Sequence, residues 1–417
     1  MKIAIVGGGF TGLSAAFYLS DKKHQVTIYE KEKYLGGLAA TYKATGWEWS
    51  VERHYHHWFT NDNAALSLIN KLGLSEKIIF PKTLTANYYN GQIYPFNSPL
   101  QLLAFSPLSF GNRVRTGLVT LALKLIPSSI GQTLESQKAT DWIRRYFGEE
   151  SYNNIWEPLL EGKFSRYKEE INMAWFWARI KKRTLRLGYL EGGYQTLVDA
   201  LAHKLEKAGC TVFTGKSFEN KYRKDFDRVI VTIPSFTFIR MFPQLPEKYK
   251  NRLLSVKHLH ALNLLLITKE RILDEVYWLN INEKGFPFLA VVAQTNMIGE
   301  NHYGGNHLTW IANYLPSNHK YLKMTKEEIF DLYLPYLKKI NPRLNSQFSI
   351  LNSQLFFGPF AQPIFPLNYS KIKPKFTTPL PNIYIANMDM VYPWDRGTNY
   401  AIEMGEKVAK LIHQQVI

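Results

Sequence analysis

The fold is decided near the start of the chain, where a short apolar stretch runs into a glycine-rich one. The stretch reads Lys2-Ile3-Ala4-Ile5-Val6-Gly7-Gly8-Gly9-Phe10-Thr11-Gly12. It predicts a β-strand, a tight turn and the start of a helix, which continues with apolar residues at helical spacing. A second strand is predicted at Gln25–Glu30. Strand, glycines, helix and strand in this order are typical of a βαβ unit that binds a dinucleotide.

Each glycine of this motif has a distinct expected role. Gly7 permits the turn, Gly9 lets the backbone approach a pyrophosphate, and Gly12 lets the helix pack closely on the strand. The pyrophosphate would accept hydrogen bonds from the free N–H groups at the start of the helix, around Phe10 and Thr11. Glycines also form purely structural turns, but the complete context of strands and helix favours a dinucleotide site.

An acidic residue closes the second strand. Glu30 lies eighteen residues after Gly12. A carboxylate at this position is expected to accept hydrogen bonds from the adenosine ribose and to repel a 2′-phosphate.

The residues after Glu30 extend the pattern with Lys31-Glu32-Lys33-Tyr34-Leu35-Gly36-Gly37-Leu38-Ala39-Ala40-Thr41. Here the sequence resembles the flavoprotein superfamily of glutathione-reductase type. Within it, the chain is most similar to the branch of protoporphyrinogen oxidase, phytoene desaturase and amine oxidases. The resemblance implies that the cofactor is FAD rather than NAD and that Lys31, Gly37 and Leu38 belong to its site.

Two further stretches carry the same resemblance. Residues 192–212 resemble the second FAD segment, in which the strand backbone at Val212 would contact the adenine side. Residues 383–405 resemble the C-terminal FAD motif, in which Asp389 would contact the ribityl chain. A helix that begins near Thr398, Asn399 and Tyr400 would point its N-terminus at the flavin. The chain departs from the family pattern at Asn387-Met388, where one glycine is expected.

The same resemblance implies how the flavin is held. Attachment is expected to be non-covalent, because Cys210 is the only cysteine and lies on the adenine side.

Patterns of strand and helix occur at three separated places, which predicts an α/β fold with a discontinuous Rossmann-like domain. We expect the FAD-binding domain to comprise residues 1–60, 190–235 and 376–417. The inserted substrate domain, of α+β type with an antiparallel sheet plus helices, would comprise 61–189 and 236–375. Within it, residues 61–190 look mainly helical and loop-like, and the alternating residues 254–315 predict the antiparallel sheet.

Glu52-Arg53-His54-Tyr55-His56-His57-Trp58-Phe59 is the densest cluster of polar and aromatic residues. The resemblance places this stretch beside the isoalloxazine ring. His54, His56 and His57 are catalytic candidates, because imidazoles can act near neutral pH as acid, base or hydrogen-bond donor. Each of them can equally be structural. No metal is expected, since no further ligand has a suitable spacing to complete a coordination shell.

Arg396 is the fourth catalytic candidate and lies in Asp395-Arg396-Gly397-Thr398-Asn399. Its guanidinium would suit the N1–C2=O region of a flavin or an acidic group of the substrate. The alternative is a helix-capping turn with Thr398 or Asn399 as the N-cap, and both roles can hold at once.

The function that this pattern implies is an FAD-dependent oxidoreductase. An organic substrate, including an apolar or isoprenoid-like one, would be dehydrogenated or desaturated with hydride transfer to flavin N5. One alternative is a redox-neutral flavoenzyme such as a nucleotide-sugar mutase or an isomerase. Another is a non-catalytic isoprenoid-binding protein, which would normally have lost the glycine motif.

Composition narrows the range of partners. Lys and Arg number 51 against 34 Asp and Glu, which gives a net charge of +17. This charge favours an anionic partner such as a lipid surface or a phosphorylated ligand, or simply reflects a basic protein. A nucleic acid is not expected, because the aromatic residues do not form an RNA-binding motif.

The chain carries no apolar run long enough to span a bilayer and no secretory signal, which predicts a cytoplasmic protein. Residues 99–127 are rich in large apolar groups with cations beside them. They are expected either to touch a membrane surface or lipid-like substrate, on the inner face of the membrane, or to form a buried helix. The oligomeric state is not predicted.

Overall fold

The computed structural model of the protein describes residues 1–344 and 349–415. Its strands, in chain order, are β1 (Lys2–Val6), β2 (Gln25–Tyr29), β3 (Thr41–Tyr42), β4 (Val51–Glu52), β5 (Trp58–Phe59), β6 (Ile78–Ile79), β7 (Leu84–Tyr89), β8 (Gln92–Pro95), β9 (Leu187–Leu190), β10 (Thr211–Phe213), β11 (Arg228–Val231), β12 (His258–Thr268), β13 (Val276–Ile281), β14 (Ala290–Ala293), β15 (His307–Leu315), β16 (Ile350–Pro363) and β17 (Ile383–Ile385).

The helices, in the same order, are α1 (Phe10–Ser20), α2 (Asn63–Lys71), α3 (Pro99–Leu103), α4 (Phe110–Leu125), α5 (Ser128–Thr133), α6 (Ala139–Phe147), α7 (Glu149–Ser151), α8 (Glu157–Phe164), α9 (Met173–Lys182), α10 (Tyr194–Lys207), α11 (Ser235–Met241), α12 (Glu247–Leu254), α13 (Lys326–Ile340) and α14 (Thr398–Gln414). A π-helical segment, Tyr152–Trp156, joins α7 to α8.

The first sheet is parallel and has the strand order β10-β2-β1-β11-β17. Its strands are short, apolar and buried at the centre, as expected for a sheet that is covered on both faces. They come from three separated parts of the chain. The predicted α/β fold with a discontinuous nucleotide-binding sheet and an inserted α+β part is therefore confirmed.

The second sheet has seven strands in the order β16-β12-β15-β14-β13-β7-β8. All of its pairs are antiparallel except β7 with β13, which is parallel. The stretch 61–190 is mainly helices and loops, as predicted, but it also contains the strands β7 and β8, which were not predicted. These two strands form a hairpin around Asn90 and Gly91, which both have positive φ angles of 49° and 75°. An Asn-Gly pair between alternating residues is a strong hairpin signal.

Helices α1 and α14 pack against each other unusually closely. A Cβ atom at Gly405 would lie 2.4 Å from the carbonyl oxygen of Thr11, so only glycine fits there. Nearby, the hydroxyl of Ser14 donates to the carbonyl of Ile402 at 2.9 Å. At the far ends of the two helices, His24 lies just past α1 and His413 lies in the last turn of α14, and Nε2 of His24 is 3.3 Å from Nδ1 of His413. The two helices therefore begin at the same end of the parallel sheet.

Candidate active site

In the glycine-rich turn, the fold requires glycine at Gly7 and Gly12 but not at Gly9. At Gly12 a Cβ atom would lie 2.0 Å from the carbonyl oxygen of Gly7, and at Gly7 it would lie 2.6 Å from the hydroxyl of Thr232. At Gly9 the nearest atom would be the Cα of Gly37, at an ordinary 3.7 Å. The backbone of Gly9 also has a φ of −76°, which any residue can adopt. The space beside Gly9 is therefore open, as a cradle for a ligand requires.

Two helices begin near this space without a side-chain cap. Phe10 of α1 contacts Tyr194, which stacks on Trp58, the hydrogen-bond partner of Thr398 in α14. Gly9 is the N-cap of α1, and Gly397 is the N-cap of α14. The expectation that Thr398 or Asn399 caps α14 is wrong. The hydroxyl of Thr398 accepts from the indole N–H of Trp58 at 2.9 Å, and the amide oxygen of Asn399 accepts from the backbone N–H of Ala65 at 3.0 Å. Uncapped helix N-termini present free N–H groups and partial positive charge, which suits phosphate and flavin oxygens.

Glu30 is buried next to the glycine turn. Its carboxylate accepts hydrogen bonds from the backbone N–H groups of Gly8 at 2.7 Å and Glu32 at 2.8 Å. An ionised carboxylate has about four acceptor positions, so capacity for ribose hydroxyls remains. Gly36 donates its N–H to the carbonyl of Gly8 at 2.9 Å, which closes the following loop over the turn.

The other candidates for cofactor contact are spread around this turn. Phe10 is buried against Tyr194, whereas Thr11 and Leu38 are half-buried. Val212 is half-buried in β10, opposite Ile28 of β2. Lys31 is exposed and pairs with Glu32, and Gly37 lies against Gly9. Tyr400 is buried and stacks on Trp394.

Asp389 is buried and already has partners within the protein. Its carboxylate accepts from Nε2 of His258 at 2.6 Å and from the hydroxyl of Ser235. Burial alone would lower the pKa of His258, but the charge of Asp389 and its hydrogen bond outweigh burial and raise that pKa. His258 begins β12, so this ion pair ties the C-terminal FAD segment to the second sheet.

These features fit FAD. The open cradle at Gly9, the buried carboxylate of Glu30 and the two uncapped helices meet at one edge of the parallel sheet. Cys210 lies elsewhere, since its thiol is close to Ser20 at the far end of α1. That position agrees with non-covalent attachment, which stays a prediction.

Each of the three candidate histidines has a defined partner. Nδ1 of His54 accepts from the side-chain amide of Asn263 at 2.9 Å, and Nδ1 of His56 donates to the carbonyl of His54. A hydrogen bond of 3.1 Å joins Nδ1 of His57 to the hydroxyl of Tyr277. The ring of His54 also fills the place that a side chain at Gly358 would need, only 2.8 Å from its Nε2.

The histidines are neutral at physiological pH. Burial lowers the pKa of His54 and His57 to about 3 and that of His56 to about 4. The charge of Arg396 contributes to lowering the pKa of His54 and His56, so these two separated segments do come together. In neutral His56 the proton sits on Nδ1, which leaves Nε2 as a hydrogen-bond acceptor.

Aromatic side chains form the walls around these residues. The hydroxyls of Tyr55 and Tyr314 are 3.4 Å apart, and the ring of Tyr55 packs edge-on against Trp278 at 4.9 Å between centroids. The guanidinium of Arg396 stacks on Tyr314 at 4.6 Å from the ring centroid. Tyr55, Trp278 and Tyr314 each keep accessible surface. Because Tyr55 is densely surrounded by protein, which raises the pKa of its hydroxyl, this accessible surface indicates a cavity between the three rings.

Asn263, Tyr277, Tyr314 and Gly358 are site residues that sequence reasoning missed. They lie on strands of the second sheet, about 200 or more residues after the members of the 54–57 stretch that they contact. One signal was present, because Asn263 interrupts the otherwise apolar run Ala261–Ile267. A polar residue in the middle of a buried strand normally has a specific partner.

No group of three or more metal-ligating side chains is found in residues 1–344 and 349–415. In the same part of the chain, no helix combines the length and apolar character needed to cross a membrane.

The fold and the site together define an α/β protein with a glycine-rich cradle at its parallel sheet and a second, mainly antiparallel sheet against residues 54–57. The sequence matches the model of the flavin-containing amine oxidoreductase family over residues 10–413, and the chain belongs to this family. The expectation of an FAD-dependent oxidoreductase is thereby confirmed at the level of the family.

Individual relatives share about a quarter of their aligned residues with this chain. The chain is 25% identical to coproporphyrinogen III oxidase of Bacillus subtilis over 299 residues, which cover 58% of this chain and 62% of that protein. It is 26% identical to protoporphyrinogen oxidase 2 of Arabidopsis thaliana over 176 residues, covering 41% and 34%. The matches therefore span less than two thirds of these relatives.

Solved structures resemble the chain over nearly its whole length. A putative protoporphyrinogen oxidase from Exiguobacterium sp. 255-15 has a TM-score of 0.76 at 18% identity and 99% coverage of both chains. Reduced UDP-galactopyranose mutase has a TM-score of 0.74 at 14% identity, covering 99% of this chain and 94% of that one. At such identities the likeness shows the fold alone.

Gly9→Ala should separate cofactor binding from folding. The added methyl group fits the protein but occupies the cradle, so we expect FAD affinity to fall by at least about tenfold. Flavin content after purification and FAD titration of the apoprotein measure this effect. Gly111→Ala, at a helical position with no atom within 4 Å, is the matched control. Unchanged FAD affinity in Gly9→Ala would contradict the assignment.

The His258–Asp389 pair should make stability depend on pH. Because the folded-state pKa of His258 is raised, its contribution is complete below about pH 6.5 and is lost as pH rises through the folded-state value. The free energy of unfolding of wild type relative to His258→Gln should therefore decline above neutral pH. Urea unfolding at pH 6 and pH 9 tests this, and a difference that is constant or grows with pH would refute it.

Proposed function

We propose that this protein is an FAD-dependent dehydrogenase that oxidises an organic substrate in the aromatic cavity beside residues 54–57. The observation that carries this proposal is the open cradle at Gly9, which two uncapped helices face and which the buried Glu30 adjoins. When bound, FAD would supply the acceptor for the two electrons that leave the substrate.

The protein's own residues would bind the cofactor and exclude water. Gly9 and the first N–H groups of α1 would hold the pyrophosphate, Glu30 the ribose, and the start of α14 the flavin oxygens. Asp389 would contact the ribityl chain with the acceptor capacity that His258 and Ser235 leave. Lys31, Gly37, Leu38 and Val212 would complete the adenosine side.

Among the histidines, His56 is best suited to take part in the chemistry. Its Nδ1 is fixed on the carbonyl of His54, so the neutral ring offers Nε2 as an acceptor. This atom would accept a proton or hydrogen bond from the substrate as the substrate is oxidised. His54 and His57 are hydrogen-bonded to Asn263 and Tyr277, and they would hold the walls of the aromatic cavity in place.

Redox chemistry gives a direct test of this proposal. Candidate substrates follow from the relatives: porphyrinogens, carotene precursors and amines. Under anaerobic conditions one of these classes should bleach the oxidised flavin. His56→Gln should slow the reduction by about 100-fold without loss of FAD, and His203→Gln on the exposed face of α10 should not. A redox-neutral mutase would instead turn over UDP-galactopyranose only after prior flavin reduction.

Helix α4 supports a second proposal, contact with a membrane surface on the inner, cytoplasmic side. Five large apolar side chains on one face of α4 are exposed, and we call them the α4 stripe: Phe110 (69%), Val114 (37%), Leu118 (62%), Leu121 (54%) and Leu125 (71%). The alternative of a buried helix does not account for this exposure. Arg113, Arg115 and Lys124 flank the stripe. Each donates to a backbone carbonyl, which is neutral, so its positive charge can still attract anionic headgroups.

Flotation with vesicles containing anionic lipid tests the α4 stripe. We expect the wild-type protein to float at low salt and Leu118→Ser/Leu125→Ser to remain unbound, because the stripe supplies the apolar contact. Leu254→Ser/Leu351→Ser changes two leucines that are each 49% exposed elsewhere and should float like wild type. Equal flotation of both double variants would contradict this role.

A further inference from the structure

We propose that the substrate carries an anionic oxygen group, a carboxylate or a phosphate, and that Arg179, Arg183 and Arg396 bind it. This inference rests on the proposed function, because it concerns the substrate cavity of the same site. It goes beyond that proposal by assigning the chemistry of the substrate's polar end.

The three arginines converge from different parts of the chain. Arg179 lies on α9 and donates to Oδ2 of Asp395 at 2.6 Å, and Lys163 of α8 donates to the same oxygen at 2.9 Å. Arg396 directly follows Asp395. Arg183, just past the end of α9, donates to the hydroxyl of Thr85 in β7 at 3.2 Å. Asp395 thus holds the α8, α9 and C-terminal segments together at one corner of the cavity.

The charges in this corner do not balance. Burial alone would raise the pKa of Asp395, but Lys163 and Arg179 hold it below its usual value, so this residue is a carboxylate. Burial lowers the pKa of Arg183 and Arg396 to about 10, so both remain cations at neutral pH. Three guanidiniums and one carboxylate leave an excess of two positive charges. Lys163 is not counted, because burial strongly lowers its pKa.

Other nearby carboxyl groups do not remove this excess. The carboxyl group of Asp62 accepts from the backbone N–H of Phe59, and the cation whose charge lowers its pKa is Lys182. Glu157 of α8 pairs with Lys168 and Lys284. Within the described residues, no carboxylate pairs with the guanidiniums of Arg183 or Arg396. Of the two unpaired guanidiniums, that of Arg396 is the more enclosed. Uncompensated charge inside a protein is costly, and an anionic ligand beside Arg396 would remove that cost.

The cations lie close to the histidines, because the charges of Arg179 and Arg183 help to lower the pKa of His57 and that of Arg396 helps to lower the pKa of His54 and His56. Arg183 is exposed although the surrounding protein is dense enough to lower its pKa, and the side chain of Arg179 is 33% accessible. The guanidinium of Arg396 lies over the ring of Tyr314, and in the part of the chain that the structure describes its N–H groups make no hydrogen bond. Guanidiniums present paired N–H donors that match the two oxygens of a carboxylate or phosphate. Tyr55 and Trp278 would contact the rest of a largely apolar or planar substrate.

Ligand binding to the FAD-loaded protein tests the inference. The probes are coproporphyrin III, which has free carboxylates, its neutral methyl ester, and UDP, which has a diphosphate. We expect one of the two anions to bind. If coproporphyrin III binds, its ester should bind at least about tenfold more weakly than the free acid. Arg183→Gln and Arg396→Gln should each lower the affinity for the bound anion at least about tenfold. The carboxylate and phosphate arms identify the source of the anion.

Arg186→Gln, on an exposed arginine near Arg183, is the matched control and should bind like wild type. Binding of neither anion, or equal binding by wild type and both variants, would overturn the inference. Loss of FAD from Arg396→Gln would also overturn it for Arg396, because that residue would then belong to the flavin. Flavin content is measured separately, so a chain without FAD would instead refute the proposed function.

Discussion

The close contact between α1 and α14 is the constraint on which the rest of the site depends. Gly405 lets the backbones of the two helices meet, and the bond from Ser14 to Ile402 fixes their alignment. Both helices therefore start at the same edge of the parallel sheet, with glycine N-caps that leave their first N–H groups free. A dinucleotide cofactor supplies the oxygens that such N–H groups need. The βαβ unit alone would provide only one of the two helix ends.

Burial then gives the groups around the cavity different roles. The same low-dielectric surroundings that make the histidines neutral leave the arginines charged, because a guanidinium starts from a far higher pKa. The cavity thus combines a neutral histidine region beside the cofactor cradle with a cationic corner at Asp395. Its aromatic walls lie between the two. This division suits a substrate whose reacting part is apolar and whose other end is acidic.

The sequence was informative where function depends on local backbone chemistry. Gly7, Gly9, Gly12 and Glu30 could be read directly because the turn, the helix start and the strand end lie within one short stretch. Contacts between distant segments could not be read in this way. Nothing near His54 indicates Asn263 or Gly358, and nothing near Arg183 indicates Thr85. The apolar pattern of α4 is the same for a buried helix as for an exposed one, so only the structure shows which side faces out.

The most direct test of this account is the structure of the protein with FAD bound. We predict that the pyrophosphate lies at the N–H groups of Phe10 and Thr11, the adenosine ribose at Glu30, and the flavin ring between the start of α14 and residues 54–57. An FAD molecule bound away from Gly9, or a flavin ring that contacts neither α14 nor the histidines, would contradict it.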